Sequence, residues 1–424
     1  MASTTEWFFC EQTLSNSQEI PMTAPANTDR LVWWKEARFG MFIHFGVYSL
    51  VSHGEWIYYQ EHIPQEEYNR LADQFRPTHY NPREWVRIAQ DAGMRYMVMV
   101  TRHHDGFCMY DSKVSDFTST KRAAKRDFIA EFADACHEAG MRMGLYYSLV
   151  DWRFPGALFN IPRQADEVYA PMVEQAHAQV REILTNYGKV DILWYDMAVP
   201  AGVWRPEELN AMARELQPDI IINNRAGTPE DFGTPENAIV PEKRAWEACY
   251  TMNETWGYAE GDRNWKSANQ LIYLLATCAS GGGNLLLNVG PEPDGRFPRE
   301  AVDRLRQVGA WMRTNGAAIY GAQPSPVTAP ALGWGTYAGG KVYLIILRWP
   351  GSTVPFAWCA NRVLKAKLLI TGEEARIEQK GDRVWLHGFP EYPPDNLPSV
   401  VELTLEGEPQ AAVPSLAFGN KLEV

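Results

Sequence analysis

Between Arg38 and Tyr320 the chain alternates short, β-rich apolar runs with longer stretches of helical spacing, and few architectures accept that alternation. Parallel strands need a connection long enough to carry the chain back across the sheet, and an amphipathic helix is the usual one. Strand, helix, strand in series therefore predicts a parallel sheet. Seven runs read as strands: FGMFIHFG at 39–46, YMVMVT at 96–101, MGLYYS at 143–148, DILWYD at 191–196, IIINNR at 220–225, WEACYTM at 246–252 and NLLLNVG at 284–290. Between them lie helical segments with recognisable ends. Asn81 is placed to cap PREWVRIAQDAG, with Pro82 at the first helical position and Gly93 at the exit, and RDFIAEFADACHEAG repeats that grammar before Met141. The count favours a (β/α)8-like barrel with one strand missed or irregular over a doubly wound open sheet. GGGN at 281–284 precedes a strand instead of opening a helix, the wrong order for a phosphate cradle, and reads as a tight turn.

A chain of 424 residues exceeds the usual single domain, so a second unit is expected. After Gln323 the pattern changes to short runs such as KVYLIILRW, AKLLITG, RVWLHGF and VVELTLEG separated by Gly, Pro and Asp turns, which predicts a C-terminal β-sandwich over 323–424. The boundary falls near AQPSPVTAPA, leaving a catalytic barrel over 27–322 and a tail over 1–26. Hydrophobic residues at 46% and charged residues at 22% are the balance of a globular protein, and no apolar run is long enough to span a membrane. A net charge of −12 repels phosphate backbones and anionic lipid, so nucleic acid and membrane are disfavoured as partners and a neutral one is expected. Cys10, Cys108, Cys136, Cys249, Cys278 and Cys359 are too scattered for a zinc site or a disulfide framework and read as buried free thiols. The amino-terminal residues lack a basic start followed by an apolar stretch, from which a cytoplasmic location is expected.

Barrel enzymes carry their chemistry at the carboxyl ends of the strands, so the polar residues that close the apolar runs are the informative ones. His44 ends FIHFG, His103 and His104 follow VMVTR, Tyr146 and Ser148 end LYYS, Asp196 ends ILWYD and Arg225 ends IINNR. Positions two apart on a strand share a face, so Trp194 and Asp196 point the same way and Tyr195 points oppositely. An aromatic floor beside a carboxylate suits a sugar, whose faces are apolar and whose edges are hydroxylated. Sixteen Trp and nineteen Tyr supply many such rings, although most are needed for packing alone. Cleavage of a glycosidic bond with retained configuration needs two carboxyl groups roughly 5 Å apart. Asp196 supplies one; the loop after Arg225 offers Glu230, Asp231, Glu236, Glu242 and Glu247 for the other, and sequence chemistry leaves that choice open. A metal reading of His44, His103, His104 and Asp105 is weaker. Adjacent strand residues face opposite sides, and neither H-x-H nor H-E-x-x-H spacing occurs.

Several longer blocks, in order, resemble the α-L-fucosidases of glycoside hydrolase family 29: WWKEARFGMFIHFGVYS, GEW at 54–56, RHHDGFCMYDSKVSDF, KRDFIAEF, ILWYDM, INNR and GGGNLLLNVGP. The similarity runs from about Leu31 to Tyr320. It implies a barrel followed by a β-sandwich, no cofactor and no metal, and an exo-acting retaining hydrolase of terminal α-L-fucosyl linkages in oligosaccharides or glycoconjugates. Carried onto this chain, it implies Asp196 as nucleophile, kept ionised by Arg225 and the histidines. It places His44, Glu55, Trp56, His103, His104, Tyr146, Trp194, Arg225 and Trp256 around the sugar. For the acid/base it favours Glu236, with Glu242 and Glu247 as rivals. The sequence DFGTPEN followed by WEACYTMNETWGY leans towards a broad rather than linkage-restricted enzyme, and assembly into a homo-oligomer is compatible with the family. The alternative is a fucose-binding protein on the same scaffold without catalysis.

Overall fold

The computed structural model describes residues 28–157 and 162–412; the expected tail over 1–26 and Cys10 lie outside the described residues. Seven parallel strands form one sheet: β1 (Phe39–Ile43), β2 (Tyr96–Arg102), β3 (Arg142–Ser148), β4 (Ile192–Asp196), β5 (Ile221–Ile222), β6 (Glu247–Thr251) and β7 (Asn284–Val289). Their order is β5-β4-β3-β2-β1-β7-β6, so β5 and β6 are the two edges. All seven coincide with the runs expected from the sequence, although IIINNR contributes only two residues to β5 before turning into a 3-10 helix at Asn224–Ala226.

The edges are joined by the chain between them. Asp231 N donates to Ile222 O, Gly233 N to Ala245 O, and Cys249 N to Pro235 O, while Phe232, Gly233 and Glu236 form parallel bridges with Asn223, Trp246 and Cys249. This stretch is the irregular strand that closes the barrel. Pro235 lacks an N–H, so regular pairing on both sides is impossible there.

Strands buried on both faces should be apolar at nearly every position, and these are. Tyr96, Val98 and Val100 of β2 turn inward with Phe42, Tyr146, Ile192, Trp194 and Leu286, whereas Met97 and Met99 turn outward into the larger core between sheet and helices. The helices begin as the sequence predicts. Asn81 accepts from Glu84 N at the start of helix Pro82–Asp91, and Asp127 accepts from Ala130 N at the start of Phe128–Glu138. GGGN is a turn between helix Ala268–Ser280 and β7: Gly282 has φ +80°, and a Cβ at Gly283 would lie 2.3 Å from the Trp246 ring.

The C-terminal residues add two antiparallel sheets. Strands β8 (Gln323–Pro324), β9 (Gly333–Ala338), β10 (Lys341–Ile346), β12 (Val363–Leu368) and β15 (Ser399–Leu405) form the order β12-β15-β10-β9-β8, and β11 (Thr353–Phe356), β13 (Arg376–Lys380) and β14 (Arg383–His387) form β11-β14-β13. Strand alternation gives the larger sheet two buried faces. Val342, Leu344 and Ile346 pack with Val384 and Leu386 of the smaller sheet, while Tyr343, Ile345 and Val400 join the core of the barrel. Among the described residues no helix is long and apolar enough to cross a membrane, and Cys108, Cys136, Cys249, Cys278 and Cys359 are free and buried.

Candidate active site

At the carboxyl end of the barrel a cavity of about 390 Å³, open on one side, is lined by His44, Trp56, His103, His104, Tyr146, Trp194, Asp196, Arg225, Glu236 and Trp256, with Phe42, Met197 and Cys249 completing its wall.

The centre of the cavity is a pair of carboxylates on one guanidinium. Tyr146 faces Trp194 and Ser148 faces Asp196 across β3 and β4, which stacks the two rings at 5.7 Å and delivers the Tyr146 hydroxyl to Asp196 Oδ2 at 2.8 Å. Arg225 Nη1 donates to Asp196 Oδ1 at 2.8 Å, and its Nη2 donates to Glu236 Oε2 at 2.7 Å. The guanidinium lies over the Trp194 ring at 4.6 Å. Burial opposes the charge of Arg225, yet Asp196 and Glu236 outweigh it and hold the guanidinium above its ordinary pKa. The two acids differ in access: the Asp196 side chain is 13% exposed, deep in the cavity, whereas that of Glu236 is 42% exposed, at the mouth.

The other acidic candidates are engaged elsewhere. Glu230 and Asp231 pair with Arg214, Asp231 also with Arg30, and Glu242 with Arg244. Glu247, at the first position of β6, is fully buried inside the barrel and accepts from Trp34, Tyr96 and Trp194.

Three histidines present neutral rings. Burial pulls the His44 pKa down to about 4, and it pulls His103 and His104 well below the ordinary imidazole value, with neighbouring charges of His104 and Arg102 respectively adding to the effect. Their tautomers follow from their partners. Asn288 Nδ2 donates to Trp256 O, so its Oδ1 must accept from His44 Nδ1 at 2.7 Å, leaving Nε2 as an acceptor. Ser148 Oγ donates to Val150 O and therefore accepts from His104 Nδ1 at 2.6 Å, so His104 Nε2, 3.8 Å from Asp196 Oδ2, also carries a lone pair. His103 Nδ1 is buried without a partner among the described residues. No group of three or more His, Cys, Asp or Glu placed to hold a metal occurs among the described residues.

Trp56 and Trp256 stand on loops after β1 and β6. Trp56 packs edge-on to His104 at 5.5 Å, and Trp256 lies 5.2 Å from His44. Glu55 sits one layer back and does not line the cavity: its Oε2 accepts from the backbone N–H of Trp256 at 3.1 Å and of Gly257 at 2.7 Å, tying the two loops together. Burial raises its pKa to about 7 despite those donors. A Cβ on Gly290, at the end of β7, would meet Trp256 O at 2.6 Å, so the glycine lets the loop close against the strand. Sequence reasoning missed Phe42, Met197 and Cys249 as wall residues. Phe42 is two before His44 and Cys249 two after Glu247, so strand alternation carried the signal; Met197, with φ +60°, lies past the end of β4 and carried none.

The family model described as alpha-L-fucosidase matches residues 8–317. Human plasma alpha-L-fucosidase is 30% identical over 84% of this chain and 85% of its own length. The solved structure of alpha-L-fucosidase isoenzyme 1 from Paenibacillus thiaminolyticus is 37% identical, covers 89% of this chain and 99% of its own, and superposes with a TM-score of 0.83. An alpha-L-fucosidase from Bacteroides thetaiotaomicron, solved as a trapped covalent intermediate with 2-fluoro-fucosyl fluoride, is 26% identical, covers 89% of this chain and 96% of its own, with a TM-score of 0.83. With barrel, cavity and sequence in agreement over most of its length, the chain belongs to the α-L-fucosidases of glycoside hydrolase family 29.

Proposed function

We propose that the chain is an exo-acting, retaining α-L-fucosidase that removes terminal fucosyl residues through a covalent intermediate on Asp196. The observation that carries this reading is the sharing of Arg225 by Asp196 and Glu236. Both acids reach the same guanidinium and so face one cavity, the pairing of carboxyls that glycosidic cleavage needs; a retaining enzyme uses them at a separation of roughly 5–5.5 Å. The intermediate trapped in the Bacteroides relative supports the same chemistry.

In this reading Asp196 attacks the anomeric carbon from within the cavity while Glu236, at the mouth, protonates the departing oxygen. Glu236, now a carboxylate, takes a proton from the incoming water, whose oxygen displaces Asp196 and restores it. The lone pairs on Nε2 of His44 and His104 accept sugar hydroxyls, and Phe42, Trp194 and Trp256 cover the apolar face of the ring. A cavity that is deep at Asp196 and open at Glu236 suits one terminal residue, which supports exo action on fucosylated oligosaccharides or glycoconjugates.

The test is turnover of a chromogenic α-L-fucoside. Asp196→Ala should abolish it. Glu236→Ala should slow it most on poor leaving groups, which need the acid; on an activated aryl fucoside, where breakdown of the intermediate is limiting, azide should restore the rate by forming a fucosyl azide, since a small anion replaces the water that the missing base would have activated. Unchanged turnover in Asp196→Ala, or inversion at the anomeric carbon seen by NMR, rejects the mechanism.

A further inference from the structure

Beneath the cavity the barrel interior holds a carboxyl group that the proposed chemistry does not use. Glu247 is fully buried, and its two oxygens are divided among three donors: Oε1 accepts from Trp194 Nε1 at 3.2 Å, and Oε2 accepts from Trp34 Nε1 at 3.3 Å and from the Tyr96 hydroxyl. Asn284 Nδ2 contacts the same Tyr96 oxygen at 3.3 Å and donates to Trp34 O at 2.8 Å, extending the network to β7. Among the described residues no ion pair is formed with this carboxyl. Such a group is costly to bury, and three donors without a cation only partly offset that cost. An apolar residue would fill a barrel interior more cheaply, so its position relative to Trp194 is the informative feature.

Trp194 is the hinge between this network and the cavity. One face carries Arg225 at 4.6 Å, its plane lies nearly parallel to Tyr146, and Phe42 packs at 5.0 Å. Ring contacts leave an indole free to slide in its plane; a hydrogen bond at Nε1 removes that freedom. An indole N–H only donates, so the partner has to be an acceptor, and Glu247 supplies it at the ring edge, leaving the ring faces to Arg225, Tyr146 and the cavity.

We infer that Glu247 is a positioning residue for the reaction: through its bond to Trp194 it fixes the floor of the sugar site and the platform on which Arg225 is aimed at Asp196 and Glu236. This rests on the fucosidase reading above and deepens it. Because one amide oxygen replaces two carboxylate oxygens, Glu247→Gln must turn an N–H₂ group either towards Trp194 or towards Trp34 and Tyr96, and the orientation that satisfies two donors, oxygen to Trp34 and Tyr96, leaves Trp194 without its acceptor.

Burial raises the Glu247 pKa to about 7, against the opposing donors Tyr96, Trp194 and Trp34. The other titratable groups coupled to it are Tyr96 on β2, Cys249 on its own strand and Cys278 on helix Ala268–Ser280, with Arg38 acting on Cys278. The thiols and the phenol are all raised, so none of them titrates near neutrality. A change in the acceptor state of Glu247 therefore reaches Trp194 directly, through the bond to its Nε1.

The experiment is a double-mutant cycle of Glu247→Gln and Trp194→Phe, read by steady-state kinetics on an aryl α-L-fucoside and by affinity for a fucose-configured iminocyclitol. The wild-type rate is the reference: no turnover by wild type refutes the fucosidase reading, whereas turnover with unaffected variants refutes only the inference about Glu247. The expected result is a fall in kcat/KM of roughly 10- to 100-fold for Glu247→Gln, expressed in KM and iminocyclitol affinity. In the Trp194→Phe background the same change should cost less than about twofold. Trp34→Phe, which removes a donor from the other oxygen of the same carboxyl, should lower Tm and leave KM unchanged. Tyr96→Phe keeps both indoles and removes a donor, so the inflection of kcat/KM near neutral pH should move upward, and this holds as a test if the Gln variant fails to fold. Additive losses in the cycle, an equal rise of KM in Trp34→Phe, or a pH profile unmoved by Tyr96→Phe would each overturn the assignment.

Discussion

Tyr146 and Arg225 divide the oxygens of Asp196 between them, one neutral donor and one cation, and both arrive from neighbouring strand ends. A hydrogen bond to a charged group is worth about 1.5–3 kcal/mol, so Tyr146→Phe, which keeps the stacked ring and loses the hydroxyl, should lower kcat/KM by roughly 10- to 100-fold without a large change in Tm. Stopped turnover assays beside thermal unfolding separate the two effects, and a wild-type kcat/KM would show that the phenol is only a wall. At this scale much was legible. Period-two alternation put Trp194 and Asp196 on one face and Tyr195 on the other, and the structure places Trp194 inside the barrel while Tyr195 packs outside it. What alternation does not reveal is which loop acid reaches the mouth. That depends on Arg225 turning back to meet Glu236, while Glu230, Asp231 and Glu242 are taken up by Arg214, Arg30 and Arg244, and all of these are contacts between residues distant from the strand pattern.

The seven paired strands announced themselves by short, mainly apolar runs, and the closing segment did not, for a physical reason. Residues 231–237 carry Gly233 and Pro235, have no apolar run, and pair through single bridges rather than a ladder. Their irregularity is what lifts Glu236 to the rim, since a regular strand would continue its alternation into the core. The C-terminal sheets show the same limit: β9, β11 and β13 are glycine-bearing, proline-bearing and charged respectively, and their half-exposed positions obscure the period that made β10 and β15 readable. Close approach between elements is equally invisible before folding. At Gly290 the backbone of Trp256 lies where a Cβ would stand, so Gly290→Ala should push the Trp256 loop outward. Overpacking of this kind costs about 1–3 kcal/mol, and here the expected sign is a raised KM for the fucoside with kcat less affected. An unaltered KM with a lowered Tm would mean that the loop absorbs the change without reshaping the cavity.

Across the whole molecule, the buried ionisable groups set how stability responds to pH, and two sets of opposite sign compete. His44, His103 and His104 have folded-state pKa values pulled down by burial, His44 to about 4, so the unfolded chain binds more protons and stability is lost as pH falls below the unfolded imidazole value. Glu55, Glu247 and Asp105 are raised by burial to about 7, about 7 and about 6. For these the folded state binds more protons, so their stability contribution is full below the unfolded carboxyl value and declines as pH rises through the folded one. Between pH ~4.5 and ~6 the two sets oppose each other, three groups against three, and a broad plateau in Tm follows. Below it the histidines dominate and Tm falls; above pH ~6.5, where unfolded imidazoles are already neutral, Glu55 and Glu247 still lose protons and Tm declines again. Glu247→Gln removes one of the groups responsible for that upper decline. Its deficit in unfolding free energy relative to wild type, arising from the mismatched amide, should therefore shrink as pH rises from about 4.5 to about 7, by an amount on the order of the roughly 3 kcal/mol that a shift of this size represents, and the gap in Tm narrows with it. Differential scanning calorimetry of both proteins across that range measures the gap. A deficit that stays constant would show that the carboxyl between Trp34, Tyr96 and Trp194 does not change its protonation there.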